Sequence, residues 1–140
     1  MKVARSIALL SYRNYDTYDA TQQTPDERIT DYRAESYQRY QGEKLARRFN
    51  ALSYHYLSLA MDSHDVGRGR GGLAAALALI QARTLVIGVA SDLLFPIREQ
   101  QLLAEYIPDA TLQTIDSPYG HDGFLLETKQ LTECIAGWLN

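Results

Sequence analysis

The spacing of apolar residues changes character near residue 67. Before it, apolar positions recur at helical intervals. Residues 3–12 predict one helix, and no capping residue precedes it, which fits a helix entered from further upstream. Residues 14–31 are polar, carry Pro25 and Asp26, and predict a loop. Residues 32–49 predict a second helix, with Tyr37, Tyr40, Lys44 and Arg48 along one side. Asn50 is a favourable N-cap for a helix over 51–61. That helix carries Leu52, Tyr56, Leu59 and Ala60 on one face and Tyr54, Leu57 and Met61 on another. A short helix that is apolar nearly all round is expected to be buried or packed between partners.

After residue 67 helical and strand patterns alternate. Residues 72–81 predict an alanine- and leucine-rich helix. The apolar run from Thr84 to Ala90 suits a strand covered on both faces. Pro96 sits where a helix starts, and residues 97–106 follow it with Leu103, Tyr106 and Ile107 on one face. Pro108 and Asp109 end that helix. Residues 111–115 predict a second, more polar strand, suited to a place near a sheet edge. Residues 123–139 predict a closing helix with Leu131, Ile135 and Trp138 at helical spacing. Residues 84–115 thus form one βαβ crossover, with right-handed connection expected. Two strands make no stable sheet in isolation. Further strands are expected from residues before Met1, from another chain, or from a rearranged dimer. There is no internal repeat and no low-complexity tract.

Composition narrows the classes. A chain of 140 residues has the length of one ordinary domain, and 46% hydrophobic residues can supply a core. The net charge of -3 and pI near 5.5 give no electrostatic basis for binding nucleic acid or an anionic membrane. The single cysteine, Cys134, excludes an intrachain disulfide and favours a reducing, cytoplasmic setting. Residues 1–10 are too short an apolar stretch for a secretory signal. The longest strongly apolar stretch, residues 73–80, falls far below the ~20 residues that cross a bilayer. Most of the ten tyrosines precede residue 57. They fit partly exposed helix faces, a partner surface or a cleft wall.

Candidate chemistry lies in the two loops that follow the strands. One is Ser91-Asp92-Leu93-Leu94-Phe95-Pro96; the other runs Ser117-Pro118-Tyr119-Gly120-His121-Asp122-Gly123-Phe124. Catalytic groups collect at the carboxyl ends of parallel strands. Asp92 and His121 therefore fit the acid and the histidine of a Ser-His-Asp relay, in the chain order nucleophile, acid, histidine. The plainer alternatives are a turn-forming aspartate and a histidine that tolerates a tight turn. With Pro96 four residues on, capping of the next helix is a less natural task for Asp92. No G-x-S-x-G elbow occurs in these 140 residues. Gly67 to Gly72 fits the G-x-G-x-x-G spacing, but it follows a helix rather than a strand. It reads as a hinge and helix start, with Arg68 and Arg70 as solvated charge or as contacts for a coenzyme A phosphate. Asp62-Ser63-His64-Asp65 lacks a second histidine cluster, so helix-end capping is expected and no metal. Cys134 sits among apolar residues and is given no catalytic role.

Five segments in order resemble homoserine O-acetyltransferase. They are residues 4–13 (ARSIALLSYR), 35–44 (ESYQRYQGEK), 61–72 (MDSHDVGRGRGG), Ser-Asp-Leu-Leu-Phe-Pro at 91–96, and the run DSPYGHDGFLLE at 116–127. The resemblance covers almost the whole chain apart from the loop at 14–31. It implies an α/β fold: a partial α/β-hydrolase core, with parallel strands and flanking helices over 67–140, preceded by a helical lid-like region over 1–66. By this resemblance His121 is the general base and Asp92 the carboxylate that orients it. Arg5 binds the homoserine carboxylate, Tyr12 belongs to the homoserine pocket, and Asp122 receives the amino group. The family's serine and oxyanion segment lie upstream of the matching region.

The resemblance implies a carboxyl-terminal segment of an acyltransferase of methionine biosynthesis. Homoserine and acetyl-CoA are the implied substrates, acetyl-CoA being consumed rather than held as a cofactor. Succinyl-CoA as donor or serine as acceptor are close variants. The chain alone is expected to be inactive, with the missing amino-terminal half as a partner. A homodimer is expected, with Tyr54, Tyr56, Leu57 and Met61 in the contact. The alternative is a non-catalytic helical interaction module derived from the same fold. The coding sequence directly upstream discriminates the two: an in-frame nucleophile elbow favours the enzyme.

Overall fold

The computed structural model describes residues 1–24, 27 and 29–140. Contacts divide the chain into two compact units, Met1–His64 and Asp65–Asn140.

The first unit is helical: α1 (Lys2–Tyr12), α2 (Tyr15–Gln22), α3 (Arg33–Arg48) and α4 (Ala51–Asp62). α1 packs on α3 with Leu9 buried. Gly42 permits the close approach, because a Cβ there would stand 3.2 Å from both Cβ and the carbonyl oxygen of Lys2. An ion pair from Lys2 to Glu43 spans the same crossing.

Helix α2 corrects the expectation of a loop over 14–31. Asn14 Oδ1 accepts from the backbone N–H of Asp16 at 3.2 Å, capping the first turn. Asp16 places negative charge at the positive end of the helix. Tyr18 then meets Tyr37 of α3 edge to face at 6.5 Å, and Gln38 Nε2 donates to its hydroxyl at 3.0 Å. The helix rests on a cap and tertiary contacts rather than on an apolar stripe, so the periodicity did not reveal it. Pro25 and Asp26, part of that expected loop, lie outside the described residues. Asn50 caps α4 as expected, its Oδ1 accepting from Ser53 N at 2.7 Å. No residue of α4 is buried within the chain.

The second unit contains α5 (Leu73–Leu77), β1 (Thr84–Val89), α6 (Ile97–Tyr106), β2 (Ala110–Ile115), a 3-10 turn (Gly120–Asp122), α7 (Gly123–Leu126) and α8 (Thr128–Leu139). β1 and β2 pair in parallel, from Thr84 opposite Ala110 to Val89 opposite Ile115. Leu77, Val86, Val89, Ile107 and Ile115 form the buried core. α6 packs on both strands. Gly88 makes room for it, since a Cβ at that position would collide with Ile97 Cδ1.

Two predicted helices differ from those observed. The helix expected over 72–81 is only Leu73–Leu77. Gly72 adopts φ +96° and sets its start. Past Leu77 the bonds tighten to Leu79 N to Ala76 O and Ile80 N to Leu77 O, and Leu79 is two-thirds exposed, with no packing to extend the helix. The helix expected over 123–139 breaks at Glu127, where ψ is 51°. The break lets α8 turn Gln130 back onto the end of β2. Its amide donates to Asp116 O at 2.8 Å and accepts from Asp116 N at 3.2 Å. Among the described residues no helix is long and apolar enough to cross a membrane.

Candidate functional site

The site stands at the carboxyl ends of the two strands. β1 delivers Asp92, which is 8% exposed. Its Oδ1 accepts from the backbone N–H groups of Leu94 at 2.8 Å and Phe95 at 2.9 Å. Its Oδ2 lies 2.8 Å from His121 Nδ1. A carboxylate only accepts, so Nδ1 carries the proton of that contact. Three donors on one buried carboxylate offset the cost of removing it from water. Asp92 is thus both the turn former and the partner of the histidine.

β2 delivers the other loop. Ser117 is buried, and its Oγ accepts from Tyr119 N at 3.1 Å. Gly120 adopts φ +62°, a left-handed value that turns the chain into the 3-10 segment bearing His121. Ser91 Oγ donates to Ser117 O at 2.6 Å, joining the two loops. Gly123 closes against Ser117, where a Cβ would stand 2.7 Å from Ser117 Cβ. Phe95 and Phe124 flank the imidazole at centroid distances of 5.2 and 5.1 Å. Asp92, His121, Phe95 and Phe124, with Gly88, Val89 and Gln100, border a cleft of about 280 Å³.

The structure therefore brings Asp92 and His121 into direct contact, and Asp122 follows in the same 3-10 turn. Arg5 and Tyr12 belong to the first unit and meet each other, the guanidinium 5.2 Å from the tyrosine ring centroid. Arg5 also lines a cavity of about 150 Å³ with Gln41, Lys44, Leu45 and Arg48. The glycine-rich loop is held by its own contacts: Asp65 Oδ1 accepts from Gly67 N at 2.8 Å, and Arg70 donates to Val66 O at 2.9 Å. Cys134 is half-buried and free. Among the described residues no group of three or more His, Cys, Asp or Glu is placed to hold a metal.

Sequence reasoning missed Ser91, Ser117, Phe95 and Phe124. For the phenylalanines a signal existed, since each lies three residues after one member of the polar pair.

Homoserine O-acetyltransferase of Cyclobacterium marinum is 49% identical over 94% of this chain, which spans 37% of that protein. The same enzyme of Salinibacter ruber is 41% identical over 99% of the chain and 40% of the relative. That of Mycolicibacterium smegmatis is 47% identical over 96% and 37%. No family model matches the chain. Among solved structures, homoserine O-acetyltransferase from Bacillus anthracis superposes with a TM-score of 0.88 at 19% identity, over 99% of this chain and 40% of that one. Esterase E22 superposes with a TM-score of 0.85 at 20% identity, over 99% and 41%. The fold is part of an α/β-hydrolase. Within that class the chain resembles homoserine O-acetyltransferases along nearly its whole length, and it spans about two fifths of the curated relatives it matches.

Proposed function

We propose that this chain supplies the acid and the base of a homoserine O-acetyltransferase that works through a Ser-His-Asp relay. The observation that carries the reading is the 2.8 Å contact between His121 Nδ1 and buried Asp92, at the strand ends of a hydrolase fold. With Nδ1 engaged by Asp92, proton exchange falls to Nε2. In the first half-reaction a serine Oγ, supplied by residues outside these 140, attacks the thioester carbonyl of acetyl-CoA. His121 takes the serine proton and returns it to the departing thiolate. In the second, His121 takes the proton of the homoserine hydroxyl as its oxygen attacks the acetyl-serine. The imidazolium then reprotonates the serine as the O-acetyl product leaves.

Arg5 suits the homoserine carboxylate because a guanidinium fork engages both oxygens. Tyr12, stacked on Arg5, belongs to the same acceptor pocket. Asp122 supplies the charge for the amino group. Homoserine and the acetyl group follow the names of the similar proteins, and acetyl-CoA is the proposed donor; succinyl-CoA or serine would require the same relay. Methionine biosynthesis in the cytoplasm and a homodimer complete the reading.

Mass-spectrometric detection of O-acetylhomoserine tests it. The 140-residue chain alone should yield none. The chain joined to, or mixed with, the remaining part of the hydrolase fold that carries the serine should turn over. Turnover by the lone chain would show that a nucleophile resides within it and overturn the assignment.

A further inference from the structure

We propose that Gln130 of α8 is a positioning residue for the relay: its amide ties together both ends of the segment 116–127 that carries His121. This rests on His121 being the base of that relay. The segment leaves β2 at Asp116 and ends at Glu127, where the chain breaks before α8. Gln130 Oε1 accepts from Asp116 N at 3.2 Å, and its Nε2 donates to Asp116 O at 2.8 Å. The same Nε2 donates to Glu127 Oε2 at 3.1 Å. Both N–H groups of the amide and its oxygen are therefore engaged. The partners fix its orientation, since a backbone N–H only donates and a carbonyl only accepts.

Asp116 is the first residue past β2, so its N–H and C=O stand where the ladder with β1 stops. The Gln130 amide offers them the acceptor and donor that a neighbouring strand would offer. It thereby carries the hold on the backbone one residue beyond the strand, to the root of the loop. The next residue, Ser117, is held from elsewhere: its carbonyl accepts from Ser91 Oγ at 2.6 Å. Two consecutive residues at the root are thus pinned by side chains from α8 and from the loop after β1. Beyond them the chain turns at Gly120 and delivers His121 Nδ1 to within 2.8 Å of Asp92 Oδ2. Movement of the loop would lengthen that bond and weaken it, and catalysis is sensitive to displacements of about 1 Å.

An ordinary solvated glutamine is a poor fit to these contacts. Fixing so long a side chain costs conformational entropy, which its bonds must offset. Here every bond goes to one end or the other of a single segment. All three lie within residues 116–130, so residues beyond the chain are not needed to form them.

The test is made in the complete enzyme with Gln130→Met, which keeps length and bulk but removes all three bonds, and with Gln130→Glu, which keeps only the acceptor for Asp116 N. Steady-state kinetics are read beside the downfield proton NMR signal of His121 Nδ1–H, assigned by its loss in His121→Ala. Gln130→Met should lower kcat about tenfold and leave KM for homoserine and for acetyl-CoA within about twofold. Its Nδ1–H signal should move upfield as the bond to Asp92 lengthens. Gln130→Glu should shift both readings in the same direction, and it serves where Gln130→Met does not fold. A folded variant that melts earlier but keeps the unaltered kcat and Nδ1–H signal would make Gln130 purely structural and overturn the proposal. A fall in kcat with the Nδ1–H signal unmoved would overturn it as well, because the effect would not pass through His121. If the unaltered enzyme transfers no acetyl group while the Nδ1–H signal responds as expected, the functional reading fails and the placing of His121 by Gln130 stands.

Discussion

Ser91 Oγ donates to the carbonyl oxygen of Ser117 at 2.6 Å, and this bond joins the loop of Asp92 to the loop of His121. The donor belongs to the residue just before Asp92, and the acceptor to a buried residue four before His121. Ser91→Ala removes the donor and leaves a buried carbonyl short of a partner. Stability should fall by about 1 kcal/mol in chemical denaturation. Activity of the complete enzyme should fall as well, with kcat affected more than KM.

Close packing at Gly123 and Gly88 gives a second prediction. A Cβ at Gly123 would press on Ser117 Cβ and Oγ and on Val89 Cγ1. At Gly88 it would press on Ile97 Cδ1 beneath α6. Each glycine-to-alanine change should cost about 1–3 kcal/mol. Gly123→Ala, beside the site, should also weaken the downfield proton signal expected of His121 Nδ1–H. Gly88→Ala acts through the α6 contact, and its effect should show chiefly in stability.

The Lys2–Glu43 pair predicts a local pH response. The hydrogen bond from Lys2 lowers the Glu43 carboxyl from its ordinary value. A lowered carboxylate contributes stability above the ordinary value and loses it as pH falls through the folded one. Both side chains are well exposed, so solvent screening keeps the contribution small. Lys2→Gln should move the Glu43 titration upward in carboxyl NMR and leave the global melting temperature nearly unchanged.

Helix α4 predicts self-association. Leu52, Tyr56, Leu57, Leu59 and Met61 are all exposed on it, and none of its residues is buried within the chain. An exposed apolar helix face of this kind is the sort of surface through which chains associate. Sedimentation of the purified chain at tens of micromolar should report a dimer or larger, and Leu57→Glu with Met61→Glu should shift it to monomer. A monomer in the unaltered chain would refute this role for α4.

Long-range pairing and local periodicity were legible to different degrees. The apolar run at Thr84–Val89 and the proline before Ile97 mark β1 and α6 nearly to the residue, because burial and backbone restriction act locally there. The polar pair was legible because a strand end fixes where the following residue stands. Helix α2 was hidden because its support comes from Asn14 and from Tyr37 and Gln38 of α3. The break at Glu127 was hidden because Gln130 is held by Asp116, fourteen residues away. The turn role of Asp92 was legible as one of two alternatives, and the structure joins both: the carboxylate accepts from Leu94 and Phe95, not from the helix that follows, and also meets His121.

The most direct test is the rate of acetyl transfer from acetyl-CoA to homoserine by the complete enzyme carrying His121→Ala or Asp92→Asn. Loss of the base should lower kcat by about a thousandfold or more, and Asp92→Asn should lower it strongly. Arg5→Lys should chiefly raise KM for homoserine, since a single ammonium cannot engage both carboxylate oxygens. Turnover within a few-fold of the unaltered enzyme in either His121→Ala or Asp92→Asn would contradict the relay.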